Sequence, residues 1–454
     1  MPGLKLIQPT AGVLRVQPHV YRRSEHPISR RAINPNALKV LYRLKQAGFR
    51  ACLVGGCVRD LLLGREPKDF DVVTDAHPEQ VRALFRNCRL VGRRFRLAHI
   101  CFGQEIVEVA TFRATAAPGR EGDWVQEESG RLLRDNVFGT IEEDAFRRDF
   151  TANALYYDIA DFSVIDYVGG MEDLQRGVLR LIGDPELRYR EDPVRMLRAV
   201  RLMTKLGFVL DPACAEPIKK LAPLLAGVSP ARLYEEVLKL FLSGLAVQNF
   251  EWLRHYGLFE FLFPTTEKAL SSEYQGFPST FLVRALEAAD RRLSEGKPVT
   301  PYFLYATLLW EPVRLEFERH LAQGVAPAVA MQEAASTILT EQQRHVAIAR
   351  RVALPMREVW LLQPRLERCQ GSRPLKLLAH PRFRAGYDFL LLRCAAGEVA
   401  PEIGEWWAEF QQVGEDRRRE MLSGVQRKRR RRSKARRASM FPSQSCSGLS
   451  PSSG

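Results

Sequence analysis

Two aspartates two residues apart, Asp69 and Asp71, lie in the stretch LVGGCVRDLLLGREPKDFDVV (residues 53–73), downstream of the pair Gly55-Gly56 and of Arg59. Carboxylates this close repel one another unless cations sit between them, and magnesium takes hard oxygen ligands of this kind. Two such ions can activate an attacking hydroxyl and stabilise a leaving phosphate oxygen. Glycines let phosphate approach the backbone, and amides with a cation at a helix start favour an anion. The span reads as the parts of a phosphate and metal site. The plainer reading is a strand end with two solvated carboxylates.

Other charged residues leave two readings open in the same way. Glu108 alternates with Ile106 and Ala110 in an apolar strand, so it faces solvent on an edge or joins the aspartates at the metals. Asp149, in RRDFT, is a further acid of the site or the N-cap of a helix over DFTANALYY. In EDPVRMLRAVR (191–201), Asp192, Arg195 and Arg198 recur every three residues along one helical face, with Leu197 and Val200 on the other. That face is an ion-paired surface stripe, or a carboxylate acceptor and guanidinium donor reading a nucleobase edge while a second arginine answers phosphates.

The elements that must position these residues follow from periodicity. Asn34 as N-cap, Pro35 at the first helical position, Leu38, Leu41 and Leu44 on one face and Gly48 as stop predict a helix. Ala51–Val54 reads as a buried strand, Gly55-Gly56 as a tight turn, and Val58–Leu63 as a helix stopped at Gly64. Lys68–Val73 reads as a strand with Phe70 and Val72 opposite Asp69, Asp71 and Val73. Pro78–Phe85 predicts a helix, and His99–Phe102 and Ile106–Phe112 predict strands joined at Gly103. Residues 114–139 are polar and glycine-containing and predict a mobile loop. Beyond Asp144 the pattern is helical except for a hairpin at 161–170. The fold class is α+β: a small mixed α/β head whose sheet carries the carboxylates, followed by an all-helical C-terminal portion.

The chain has 454 residues, is 46% hydrophobic and carries a formal net charge of +15. Twelve basic and three acidic residues after position 414 make most of that excess a property of the tail. Eight cysteines show no CxxC pair and no zinc or disulfide spacing, which predicts free thiols in a reducing cytoplasm. The N-terminus has no signal-peptide core, and no segment reaches about 18 uninterrupted apolar residues, so neither secretion nor a membrane span is expected.

The segments LVGGCVRDLLLGREPKDFDVVTDAHPE, EVATFR, RRDFTANALYY, YVGGMEDL and LRLIGDPELRYREDPVRMLRAVR, in this order over roughly residues 34–230, resemble the bacterial poly(A) polymerases and their relatives the CCA-adding tRNA nucleotidyltransferases. LVGRRFRLAHICFG (90–103) is similar to the segment that marks poly(A) polymerases, and no His-Asp dipeptide of an attached phosphohydrolase domain is present. Ala152 departs from the isoleucine that relatives often carry. The resemblance implies template-independent addition of AMP from ATP to RNA 3′ ends with release of pyrophosphate, using two Mg2+ ions.

By motif, the resemblance puts Gly55, Gly56 and Arg59 around the triphosphate, and Asp69 and Asp71 on the metals. Asp149 falls on a further essential aspartate, Glu108 on an acidic position beside the site, and Asp192 and Arg195, with Arg198, in nucleotide recognition. Expected partners are RNA 3′ ends, ATP and RNA-decay proteins. The expected organisation is a flexible arm (1–33), a catalytic head (34–170), a helical neck with the recognition motif and an RNA-binding region (171–250), a helical body (251–414) and a disordered arginine-rich tail (415–454). The rivals are a CCA-adding enzyme and a non-catalytic RNA-binding protein on the same scaffold. A dinucleotide-binding oxidoreductase is excluded because Val54–Arg59 does not supply GxGxxG.

Residues 427–437, RKRRRRSKARR, put nine cations in eleven positions: Arg427, Lys428, Arg429, Arg430, Arg431, Arg432, Lys434, Arg436 and Arg437. With no apolar face to bury, this segment is expected to bind RNA phosphates through counterion release. If about five charges meet phosphates, log K against log salt has a slope of roughly −3.5. Cutting the chain after Gly424 is expected to weaken RNA binding at low salt and flatten that slope, as a filter-binding titration over salt would read.

Overall fold

The computed structural model describes residues 17–92, 96–114, 123–126, 132–271, 280–371 and 373–422. An eight-stranded sheet organises the N-terminal half. Its strands are β1 (His19–Tyr21), β2 (Ala51–Val54), β3 (Asp71–Thr74), β4 (Cys88–Val91), β5 (Leu97–Phe102), β6 (Glu105–Thr111), β9 (Leu155–Asp158) and β10 (Val164–Asp166), in the order β1-β10-β9-β2-β3-β6-β5-β4. β3 and β6 pair in parallel, and the other neighbours are antiparallel.

The central strands are covered on both faces, which is why ACLV and DVVT are nearly continuous apolar runs. The two-residue alternation sends Leu53, Val72, Val109 and Tyr157 into one core and Cys52, Val54, Val73 and Tyr156 into another. The first core packs under α1 (Pro35–Gln46), with Val40, Leu41 and Leu44 fully buried, and takes Phe70 at its margin. Asn34 caps α1 by accepting from the Asn36 and Ala37 amides. The second core takes Ile141 and Ala145 from α4 (Ile141–Arg147). α2 (Gly56–Leu62) follows β2, and α3 (Pro78–Leu84) follows β3.

Several expectations are corrected. Residues 17–33 are not a loose arm: β1 pairs with β10, and Ile28 and Ile33 are buried in the core. Residues 1–16 lie outside the described residues, as does Arg93–Phe95 of the LVGRRFRLAHICFG segment. The strand expected from Lys68 begins only at Asp71. Within the expected 114–139 loop, β7 (Asp123–Gln126) and β8 (Leu132–Asn136) pair as an antiparallel hairpin, and 115–122 and 127–131 lie outside the described residues. DFTANALYY is not a helix: Thr151–Asn153 form one 3-10 turn and the chain then enters β9, where Leu155, Tyr156 and Tyr157 are each fully buried. Tertiary burial overrides helical patterning in a segment this rich in β-formers.

A compact unit comprises Met1–Val228 with Glu251–Leu258, and a second comprises Ser229–Phe250 with Phe259–Gly454. The first contains α5 (Gly170–Arg176), α6 (Pro185–Glu191), α7 (Val194–Leu206) and α8 (Pro212–Leu221). In the second, the described elements are helices, beginning with α9 (Pro230–Phe241) and joined by α10 (Ala246–His255), which spans the boundary between the units. The helical pattern expected beyond Asp144 is met at Pro230–Phe241, Phe281–Ser294 and Arg373–Leu378, all of them helices.

The hairpin at 161–170 shows why YVGG has two glycines. Asp166 Oδ1 accepts from the Val168, Gly169 and Gly170 amides and Oδ2 from Met171, capping the start of α5. Gly169 sits at φ 79°, and a Cβ on Gly170 would lie 2.3 Å from the Thr151 carbonyl oxygen. Thr151 also donates to Asp173 of α5 at 2.7 Å, so α5 presses directly on the 3-10 turn. Gly170→Ala is therefore expected to cost about 1–3 kcal/mol or more through backbone displacement. Gly103→Ala, at a left-handed turn with open space around it, is expected to cost only about 1 kcal/mol. Urea unfolding of the two variants compares them.

Candidate active site

Asp71 opens β3, and Asp69 lies two residues earlier in the irregular approach to it; both are exposed. The parallel register Val72↔Val109 brings Glu108 of β6 level with Asp71, on the face opposite the Val107 and Val109 core positions. The three carboxylates line one cleft of about 470 Å³ with Asn34 and Lys68. Glu108 thus joins the aspartates and does not face away at an edge. His99 stands across from it on β5, Nε2 at 3.4 Å from the carboxylate.

Electrostatically this cleft is short of positive charge. Burial first, then Glu108 and Asp69, push the Asp71 carboxyl up to about 6 against the pull of Arg148. Water reaches the exposed side of Asp71 and relieves part of that push.

The glycine turn lies next to this group. Gly55 has φ 79° and ψ −138°, a conformation that only glycine adopts readily. A Cβ there would lie 3.7 Å from both Asp71 Oδ2 and Arg148 Nη1, so carboxylate, guanidinium and bare backbone converge on one point. Arg148 was not singled out by sequence reasoning. Its Nε donates to Asp144 Oδ2 and to the Tyr156 hydroxyl, each at 3.0 Å, and Nη2 donates to Asp144 at 2.9 Å. Burial opposes its charge, but Tyr156 and Asp144 more than compensate and raise its pKa. The signal that could have found it is the doubled arginine of RRDFT.

Arg59 is placed differently from its expected position. It is 3% exposed, its Nε and Nη2 donate to Asp60 and its Nη1 donates to Asn153 at 2.6 Å. Its guanidinium lies under Gly56, 3.4 Å from where a Cβ would be. Pairing with Asp60 stabilises a charge that burial alone would not tolerate.

A second cluster surrounds Asp149. It does not cap a helix: the residue at the cap position of the 3-10 turn is Phe150. Its Oδ2 accepts from Arg198 of α7, from Nε at 2.8 Å and from Nη2, and its Oδ1 accepts from the Phe150 amide at 2.8 Å. Burial would raise its pKa, but Arg198, the Phe150 amide and Asn153 bring it down to about 2. Asp192 is not on the face of α7 with Arg195 and Arg198, because it caps the C-terminus of α6 at an extended residue and accepts from the Val194 amide at 3.3 Å. Arg195 Nη1 donates to the Arg188 carbonyl at 2.7 Å and to Glu191 at 2.8 Å.

Arg188 is a second residue that sequence reasoning missed. It donates to the carbonyls of Arg147 and Arg148 and to Glu191, tying α6 to the RRD segment. Sequence-predicted residues therefore form two groups, Gly55, Gly56, Asp69, Asp71 and Glu108 at the end of the central strands, and Asp149, Arg198, Asp192 and Arg195 around α6 and α7. The tail cations Arg427 to Arg437 lie outside the described residues.

Among the described residues, no group of three or more His, Cys, Asp or Glu side chains is arranged to hold a metal ion. Asp69 and Asp71 are the pair able to hold a divalent ion, with Glu108 beside them. The seven cysteines among the described residues are all unpaired. No helix among the described residues is long and apolar enough to cross a membrane.

Three family models match the chain: "Poly A polymerase head domain" over 51–180, "Probable RNA and SrmB- binding site of polymerase A" over 207–270, and "Polymerase A arginine-rich C-terminus" over 323–439. The chain is 50% identical over 433 residues to poly(A) polymerase I of Salmonella typhi, covering 93% of each. It is 39% identical to the CCA-adding enzyme of Geobacillus stearothermophilus, but over 226 residues, 50% of this chain and 54% of the relative. In fold it is similar to a Thermotoga maritima CCA-adding enzyme solved in complex with tRNA, with a TM-score of 0.54 at 20% identity over 86% of this chain and 85% of that one.

The two pKa shifts predict opposite behaviour. Asp71 holds its proton up to about 6 in the fold and releases it near 3.8 when unfolded, so its ionisation opposes folding above pH 6. Without divalent ions, Asp71→Asn is expected to match or exceed wild type in stability at pH 7.5. Asp149 titrates near 2 in the fold, so its contribution is complete above about pH 4 and disappears as pH falls through 2. Asp149→Asn is expected to cost on the order of 2 kcal/mol at neutral pH. Denaturant titrations in EDTA check both, and equal destabilisation of the two variants would erase the distinction.

Proposed function

The chain belongs to the bacterial poly(A) polymerase family, and from that premise we propose how its own side chains divide the work of AMP transfer. It is a template-independent adenylyltransferase that uses ATP and extends RNA 3′ ends. The observation that carries the residue assignments is the convergence of Asp71, Arg148 and the bare backbone of Gly55 on one point.

Asp69 and Asp71 fit a pair of hard divalent cations: they flank Phe70, they line a cleft, and burial with the like charge of Glu108 makes the ionised form of Asp71 costly until cations arrive. Asp69 and Asp71 would hold magnesium, which when bound would lower the pKa of the RNA 3′ hydroxyl and stabilise charge on the leaving pyrophosphate. Gly55 and Gly56 open the backbone to the triphosphate. Arg148, fixed by Asp144 and Tyr156, places a permanent cation where negative charge develops on the phosphates, and its preorganisation avoids a reorientation cost during transfer. Arg59, held beneath Gly56 by Asp60 and Asn153, props the turn from below and adds to the positive field.

Base recognition falls to the break between α6 and α7. Asp192 supplies an acceptor for an exocyclic amine, and Arg195, anchored by Glu191 and the Arg188 carbonyl, supplies a donor to a ring nitrogen. Asp149 acts through Arg198, locking α7 against the RRD segment. Residues 207–270 and the arginine-rich tail carry the RNA, with RNA-decay proteins as protein partners. Free thiols suit a reducing cytoplasm.

Purified protein given a short RNA with each nucleotide singly is expected to build long A tracts with ATP and Mg2+ and to add C poorly. Growth stopping after C, C and A on tRNA would favour the CCA-adding alternative. Arg148→Ala is expected to lower kcat roughly 10²- to 10³-fold. If that variant retained kcat, the triphosphate role of Arg148 would be lost.

A further inference from the structure

α10 ends in AVQNFEWLRH followed by Tyr256 and Gly257. Helical spacing of i, i+3 and i+4 brings Trp252, His255 and Tyr256 together on its last turn. The Trp252 and Tyr256 rings stack at 5.8 Å with 21° between planes, and His255 meets both edge-on, at 5.3 Å and 4.9 Å. The turn is fixed from behind: the Tyr256 amide donates to the Trp252 carbonyl, the Leu258 amide donates to the Leu253 carbonyl, and Gly257 takes φ 66° as the left-handed stop. Leu253, the apolar residue between them, is fully buried and anchors the turn.

The trio itself is not used by the core. Trp252 is 38% exposed, His255 is exposed, and Tyr256 is half-buried. An indole held partly open at this position offers an aromatic face to a ligand. Arg254 and His255 set basic side chains into the same turn.

The ledge also neighbours α6 within the first compact unit. Tyr256 neighbours the buried Tyr189 of α6, whose phenol is raised by burial, by Cys214 and by Tyr256. Tyr189 donates to the Cys214 carbonyl of α8 at 3.0 Å, and α6 runs on to Asp192 three residues later.

We propose that Trp252, with Tyr256 and His255 behind it, is a stacking ledge for an unpaired base of the RNA primer, positioning the 3′ end relative to the Asp192–Arg195 edge. Every base has a π face, so stacking holds a growing homopolymer without reading its sequence. The Arg254 guanidinium of the same turn complements the RNA backbone, which favours RNA over an apolar protein segment as the occupant. The proposal rests on the reading of residues 207–270 as RNA-carrying.

The test compares wild type with Trp252→Leu, which keeps apolar bulk and removes the ring, and Trp252→Phe, which restores a ring. With an oligo(A) primer, Trp252→Leu is expected to raise the KM for primer and the Kd by about 5- to 100-fold, the range of one base–aromatic stack. The KM for ATP and kcat at saturating primer are expected to stay within about twofold, and Trp252→Phe is expected to recover most of the loss. Melting temperatures check that all three fold alike. Unchanged primer Kd in a folded Trp252→Leu variant overturns the ledge and leaves the trio to a protein partner. Absence of AMP transfer by wild type would overturn the activity reading instead, while the Kd comparison still decides the ledge.

Discussion

Arg148 and Asp149 are consecutive residues in the bend that follows α4, and their side chains go to different partners. Arg148 points to Gly55 and Asp71 on the sheet, and Asp149 points to Arg198 on α7. One peptide bond thus joins the carboxylate cleft to the helices proposed to carry base recognition, and Arg188 clamps the same short segment through the carbonyls of Arg147 and Arg148. A phosphate and a base belonging to one nucleotide are a fixed distance apart, so the groups that read them must be held together by something equally short. Loosening this joint would separate the two halves of the site without removing any ligand-contacting group.

The two clusters treat charge in contrasting ways. Around Arg59, Asp149 and Asp173 every buried ion has a partner, with Asp60, Arg198 and Arg180 in those roles. The cleft of Asp69, Asp71 and Glu108 keeps a surplus of negative charge. Paired ions hold the scaffold, because breaking such a pair strands a buried charge. In the cleft His99 stands 3.4 Å from Glu108 and Arg148 pulls on Asp71, yet like charge prevails, and that repulsion is a cost the apolar cores on both sheet faces must offset.

Much was legible in the sequence because it is local. Asp69 and Asp71 two apart, Phe70 between them at the core margin, the caps Asn34 and Pro35, and the helical periodicities of α7 and α9 all depend on neighbours within a few positions. The ordered motifs also sufficed to identify the family and the type of chemistry. The mixed head and the helical remainder follow from the change of hydrophobic period along the chain.

What sequence could not decide involves partners far apart in the chain. Whether Glu108 joins the aspartates depends on the parallel register of β3 and β6. Whether Asp149 caps a helix or binds a guanidinium depends on Arg198, 49 residues away. Arg59 has the right type and position for a phosphate ligand, yet Asn153, 94 residues on, and Asp60 take its donors. DFTANALYY carries a helical pattern, but a slot between β2 and β10 buries it as a strand. The sequence by itself determined which side chains are available and how adjacent ones are spaced; tertiary structure alone decided which of them meet, because contact between distant residues is set by packing and register and not by local preference.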